Sequence, residues 1–257
     1  MRCAELNLPS TYYCGDECAQ AHWPKHQAYH KAQKKIAKQI RDSDTVLQND
    51  RSAVEAQARE AERTGDELDK RAAAAVALMA EGDLHATAKA WRKIIKEWPG
   101  GPTAYHNLAL VMQRSGRFVE AAPMFLKAME LYKDGTENWA DSAASAFDEL
   151  MHPECHEVPK PQWWNDEALK ALSARLVAVC GESHVCAMRA RVLSGDARVS
   201  SKAHWSAGPR TSAEIKEAAT WYRRAAMAID TPAGKQYYEQ LARACDAAAD
   251  PLLAKEE

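Results

Sequence analysis

The chain has 257 residues, of which 34 are basic and 36 acidic, and its formal net charge is −2. Proteins that bind nucleic acids or membrane surfaces by general electrostatic attraction usually carry a basic excess, so this balance disfavours both classes. The longest apolar runs are short and rich in alanine, and none has the length required to cross a bilayer.

A secretory signal has an apolar run preceded by basic residues, and the N-terminal residues do not contain this pattern. Seven cysteines are present, and three of them lie within the first 18 residues. An odd count with one local cluster is typical of a reducing compartment, where the cluster binds metal and the other thiols pack as small side chains. We therefore expect an intracellular protein of the cytoplasm or nucleus that is not secreted.

Four potential metal ligands lie close together near the start of the chain. Two are cysteines four residues apart and two are histidines four residues apart, so both members of each pair can lie on one face of a helix. Thiolate and imidazole are the ligands that zinc prefers, and four of them complete a tetrahedral structural site. We expect one zinc ion in this segment, with Cys3 as an alternative to one of the histidines. The four ligands are Cys14, Cys18, His26 and His30.

This segment resembles the second half of a MYND-type zinc finger. That family binds two zinc ions and mostly mediates contacts between proteins, so the resemblance implies an interaction module over residues 1–31. It also makes Trp23 a candidate partner contact, with packing against the finger as the alternative. The matching elements are Tyr13 with Cys14, Cys18, Trp23, His26 and a final ligand at His30.

The segment departs from the MYND pattern at three points. The family has two further Cys-x2-Cys pairs upstream, where this sequence has only Cys3. The last ligand is His30 instead of cysteine, and Ala19 replaces a glutamine that is linked to peptide binding. Three interpretations stay open: a finger whose beginning lies upstream of this sequence, a reduced finger with one ion, and a finger that no longer binds metal.

Residues 32–67 have a helix-forming composition without proline and predict a charged helical connector. Residues 31–41 contain five basic side chains and no acid, whereas nine acids follow in residues 42–69. A solvated helix face is the ordinary interpretation of such charge runs. The basic run beside a zinc finger also supports an alternative function, namely a regulatory protein associated with nucleic acid.

An internal repeat begins at residue 68. Residues 68–101 and 102–135 align without gaps as two units of 34 residues. In each unit a small side chain on the first helix would let the second helix approach closely, and a glycine would end the first helix. A large side chain on the second helix would fill the space left by the small one. The aligned pairs are Ala75 with Ala109, Gly82 with Gly116, and Trp91 with Phe125.

The second unit resembles a tetratricopeptide repeat over its full length, and the first is a looser copy. The resemblance implies an all-α, TPR-like solenoid of helical hairpins over residues 68–257, whose concave face binds peptides or proteins. Chaperone-binding members of that family use an asparagine at the position of Asn107 to hold a peptide carboxylate. We keep Asn107 as a candidate partner contact but do not expect that clamp, because its expected neighbours are apolar or acidic. These neighbours are Ala72, Val76, Glu137 and Asp141.

The remaining sequence predicts further helices separated by a proline-rich loop and a polar insertion at residues 196–210. The predicted helices span residues 138–151, 166–179, 185–193 and 211–229, with a last one from residue 232. Trp163 and Trp164 are expected to pack against the array. Cys180, Cys186 and Cys245 are expected to be buried small side chains.

These features together predict a zinc-binding adaptor or scaffold for other proteins, without a small-molecule substrate and without membrane contact. No catalytic residue is predicted. A zinc site closed by four protein ligands offers neither the open position nor the general base that metal catalysis requires.

Overall fold

A computed structural model describes residues 65–195 and 208–256, with side chains described up to residue 249. All regular secondary structure in these residues is helical, which confirms an all-α fold for this part of the chain. The predicted finger and nearly all of the connector lie outside the described residues, as does most of the polar insertion. The chain divides into two compact units, residues 1–83 and 84–257, and each is described by itself.

The described part of the first unit is a single helix, α1 (Glu67–Ala80). The helix begins at Asp66, whose carboxylate accepts a hydrogen bond from the Leu68 amide at 2.7 Å and so satisfies an otherwise unpaired donor. Gly82 follows with a φ of +84°, a conformation that favours glycine. The predicted turn glycine of the first repeat unit is therefore confirmed.

The described part of the second unit contains eight α-helices and one short 3₁₀ helix. Each α-helix packs against the next one along the chain, and α5 also packs against α7. The helices are α2 (Leu84–Glu97), α3 (Pro102–Arg114), α4 (Phe118–Leu131), α5 (Glu137–Leu150), the 3₁₀ helix (Pro153–Glu157), α6 (Asp166–Val179), α7 (Ser183–Ser194), α8 (Ser212–Ala228) and α9 (Pro232–Glu256).

Local sequence signals explain where several of these helices begin. Asn165 accepts a hydrogen bond from the Ala168 amide at 3.0 Å, which starts α6 at the predicted position. Thr211 and Glu214 form the predicted capping box at the start of α8, with each side chain accepting a hydrogen bond from the other residue's amide. The predicted proline-rich loop differs in one respect, because residues 153–157 form a turn of 3₁₀ helix capped by the ring of His152.

Cross-helix contacts fix the directions of three helices. His106 on α3 contacts Ser142 on α5, and seven residues later Gln113 contacts Glu149, so both pairs are 36 residues apart. A constant offset means that α3 and α5 run in the same direction. The ion pairs of His184 with Asp141 and of Arg191 with Asp148 show the same relation between α7 and α5. Consequently α3, α5 and α7 are parallel, and α4 and α6 return between them.

The core follows the predicted alternation of small and large side chains. Ala109 on α3 and Phe125 on α4 are both fully buried, and Tyr222 on α8 is buried with Ala218 and Ala225. Small side chains let helix axes approach closely, while the aromatic rings fill the remaining space. Trp163 and Trp164 pack against buried residues of the core, as expected. The four cysteines of the described part are buried free thiols, namely Cys155, Cys180, Cys186 and Cys245.

Within the described residues, no helix combines the length and the apolar character that crossing a membrane would require.

Candidate functional site

Polar side chains connect the facing sides of α3, α5 and α7 at two levels. The levels are seven residues apart on each helix, which is about two helical turns, so the same side of each helix contributes to both. We term this set the inner-helix ladder. It consists of His106, Gln113, Asp141, Ser142, Asp148, Glu149, His184 and Arg191.

At the first level one carboxylate serves two imidazole rings. His106 Nε2 lies 3.3 Å from Oδ2 of Asp141, and His184 Nε2 lies 2.7 Å from Oδ1. The His184 contact has the distance of an ion pair, but the ring nitrogen is not aligned for a hydrogen bond. The other nitrogen of His106, Nδ1, is 2.9 Å from Oγ of Ser142. Three helices therefore meet at a single acidic group.

The pKa values of the two histidines of this level are shifted in opposite directions. Burial lowers the pKa of His106 below its ordinary value, and the Asp141 carboxylate only partly offsets that effect. Burial also acts on His184, but Asp141 outweighs it and raises the pKa of that imidazole. For Asp141 itself, burial alone would raise the pKa, whereas the adjacent imidazoles bring it below its ordinary value. His184 is thus the ring that becomes charged first as the pH falls.

At the second level a buried carboxyl accepts a single hydrogen bond. Gln113 Nε2 donates to Oε1 of Glu149 at 2.5 Å. Glu149 is only 3% exposed, and its Oε2 has no hydrogen-bond partner among the described residues. Burial accordingly raises the pKa of Glu149 to about 7, with the charge of Asp148 adding to the effect. Beside it, Arg191 pairs with Asp148, and this contact raises the pKa of the guanidinium.

An open cavity of about 420 Å³ adjoins the first level of the ladder. Three of its lining residues carry carboxylates, and none is lysine or arginine, so the lining favours a cationic group over an anionic one. Burial raises the pKa of the Cys180 thiol in this lining, which leaves it a poor nucleophile at neutral pH. The lining residues are Glu137, Asn138, Asp141, Cys180, Gly181, Glu182 and His184.

Three residues of the ladder have the composition of a hydrolytic triad without its accessibility. Ser142, His106 and Asp141 are linked in that order by the contacts given above. Ser142 is fully buried between the helices, so a substrate cannot reach its hydroxyl group. The constellation therefore serves to join α3 to α5 and does not supply an accessible nucleophile.

The structure describes one of the residues that the sequence singled out for binding. Asn107 lies half-buried on α3, next to His106, and is not among the residues that line the cavity. Its role as a partner contact stays a prediction. Its expected acidic neighbours Glu137 and Asp141 line the cavity. The other candidates, Cys3, Cys14, Cys18, Trp23, His26 and His30, lie outside the described residues.

The inner-helix ladder was not predicted from the sequence. The sequence contains three pairs of polar residues at seven-residue spacing, but spacing alone does not reveal which helices face one another. The pairs are His106 with Gln113, Asp141 with Asp148, and His184 with Arg191. Among the described residues, no group of three or more His, Cys, Asp or Glu side chains is placed to hold a metal ion.

No known protein-family model matches this chain, and no curated protein sequence matches it at a significant level.

Proposed function

We propose that this chain is a protein-interaction scaffold in which TPR-like helical hairpins present a binding face and an N-terminal MYND-like finger binds one zinc ion. The observation that carries the proposal is the parallel, in-register arrangement of α3, α5 and α7. When alternate helices of successive hairpins share one direction and one register, they form a continuous inner layer. Such layers give helical repeat proteins an extended surface for peptides and other proteins.

The charge of this inner face favours a protein partner over nucleic acid. Glu137 and Glu182 are exposed at the cavity, and a phosphate backbone would be repelled by them. The alternative function as a nucleic-acid-associated regulator rests on the basic residues 31–41 and the finger. A basic segment of a partner protein is the ligand that complements the described face.

The zinc part of the proposal is based on ligand chemistry. Cys14, Cys18, His26 and His30 provide two thiolates and two imidazoles at spacings that suit one tetrahedral ion, with Cys3 as a substitute ligand. A short segment with few apolar residues gains much of its folding free energy from such an ion. We assign the ion a structural role that presents Trp23 and its neighbours to a partner. The scaffold is not assigned a catalytic role or a small-molecule substrate.

The zinc assignment is tested by metal content. The full chain, purified without chelator, should contain one zinc per molecule by mass spectrometry, and the double variant Cys14→Ser/Cys18→Ser should lose it. Cys155→Ser is the matched control, since that thiol is fully buried in the helical core. Equal zinc content in wild type and in the double variant would exclude these cysteines as ligands.

The scaffold assignment is tested by comparing charge reversals on two faces of the full chain. Glu137→Lys combined with Glu182→Lys changes the inner face, whereas Glu130→Lys changes an exposed position on α4 that pairs with Lys127. Proteins captured by the wild type after nuclease treatment should be lost from the first variant and kept by the second, with circular dichroism confirming equal helix content. Identical recovery by both variants, or recovery that disappears with nuclease, would contradict the proposal.

A further inference from the structure

The strongest unassigned feature is the meeting point of His106, Asp141 and His184, which we term the imidazole junction. Each residue comes from a different parallel helix, and both imidazole rings approach the same carboxylate. Residues of α5 and α7 also pack together in the apolar core, and the ion pair of His184 with Asp141 adds a titratable contact at this level. The strength of that contact must therefore vary with the proton occupancy of His184.

We propose that the imidazole junction is a proton-operated latch, in which protonated His184 ties α7 to α5 through Asp141 and loss of that proton releases the tie. This regulation is a property of the array itself and does not depend on the identity of a partner. It would couple the pH of the surroundings to the alignment of the inner helices.

Most of the charged groups around His184 favour its protonated form. On α5, Asp141 and Asp148 both raise the pKa of this imidazole, and the exposed carboxylates of Glu137 and Glu182 line the same cavity. The opposing charge is that of His106, which would itself become positive only at lower pH. The surroundings of His184 thus stabilise a single added proton in the junction.

The remaining described elements packed around the junction contribute little unpaired positive charge. On α6, Lys170 pairs with Asp166 and Glu214, and Arg175 pairs with Asp134. From α4, the ring of Phe125 meets His106 edge-on at 5.3 Å, and Tyr132 lies within the field of Asp141. From α8 and α9, Arg224 acts on the thiol of Cys186, while Tyr238 lies near Asp148 and Arg191. None of these groups replaces His184 as the partner of Asp141.

The direction of the pH dependence follows from the two imidazoles. For His184 the folded-state pKa is raised above 6.5, so its stabilising contribution is complete below that pH and is lost as the pH rises through the raised value. For His106 the folded-state pKa is lowered, so protonation there opposes folding as the pH falls below 6.5. The latch is therefore tightest between the lowered pKa of His106 and the raised pKa of His184.

The experiment titrates the histidine rings of the full chain by nuclear magnetic resonance, with Asp141→Asn as the test variant. This variant keeps the size of the side chain and removes its charge. In the wild type, His184 should titrate above its ordinary pKa and His106 below it. In the variant, the pKa of His184 should fall relative to the wild type, because burial is then opposed by Asp148 and by the backbone of residue 141 but no longer by the Asp141 carboxylate. Asp134→Asn, which changes an exposed partner of Arg175, is the control and should leave both rings unchanged.

A second readout tests release rather than titration alone. Amide hydrogen exchange of α7 is corrected for the intrinsic effect of pH. The protection of α7 against exchange should then fall as the pH rises through the His184 pKa. The fall should be about tenfold for each pKa unit by which Asp141 raises that value, and it should vanish in Asp141→Asn. A His184 pKa at or below its ordinary value in the wild type would overturn the proposal. So would α7 protection that does not change across the titration.

Discussion

The buried carboxyl of Glu149 gives the most quantitative prediction for this fold. Burial moves its pKa from 4.5 to about 7. At about 1.4 kcal/mol for each pKa unit, ionising this group in the folded protein costs about 3 kcal/mol more than in the unfolded chain. This is a large share of the net stability of a typical domain, which is about 5–15 kcal/mol.

The sign of the effect is fixed by which state binds the proton. Between pH 4.5 and about 7 the folded chain keeps a proton on Glu149 that the unfolded chain has already released. The free energy of unfolding therefore decreases as the pH rises through this window, and the full loss is reached above about pH 7. Glu149→Gln removes the titration and keeps an Oε1 acceptor for the hydrogen bond from Gln113.

We expect Glu149→Gln to be more stable than the wild type at pH 8, by up to about 3 kcal/mol, and to lie within about 1 kcal/mol of it at pH 5. Urea unfolding followed by circular dichroism at a series of pH values measures the difference, and any contribution from His184 cancels between the two proteins. Glu130→Gln, at an exposed position on α4, is the control and should run parallel to the wild type. If Glu149→Gln also ran parallel to the wild type, or were the less stable protein at pH 8, Glu149 would not be the titrating group.

Three further predictions concern packing, capping and a buried ion pair. Phe125→Ala should lower the free energy of unfolding by about 3–5 kcal/mol, since the ring is fully buried, whereas Val119→Ala on the exposed side of α4 should cost little. Thr211→Ala should cost about 1 kcal/mol by removing the cap of α8, measured by urea unfolding. Arg210→Gln should cost about 1.5–3 kcal/mol in the same assay, because it removes a largely buried guanidinium from Asp166, which keeps Lys170 as an ion-pair partner. Values near zero for any of these variants would contradict the packing described.

Local signals in the sequence were sufficient to predict the helices and much of the core. The cap at Asn165, the capping box at Thr211 and the turn glycine at Gly116 each act over a few residues, and the structure places them as predicted. The small-to-large matching of Ala109 with Phe125 was visible for the same reason, because a repeat brings equivalent positions into register.

The candidate site depended on information that is not local. His106 and Asp141 meet because α4 runs antiparallel between α3 and α5 and brings the two helices side by side. His184 reaches the same place because α6 does the same between α5 and α7. Each of these residues looked like an ordinary polar position of an amphipathic helix. The raised pKa of Glu149 likewise results from burial by neighbouring helices, which no property of its own sequence segment indicated.

The buried thiols have a practical consequence for following motion in this protein. Cys155, Cys186 and Cys245 are distributed over the second unit and are buried while the helices are packed. A thiol-modifying probe can reach each of them only when its own neighbourhood opens, so the order in which they are labelled reports which part of the array separates first. The labelling rate of each thiol thus measures local opening of its own part of the chain. Cys186 lies on α7, the helix that the proposed latch would release.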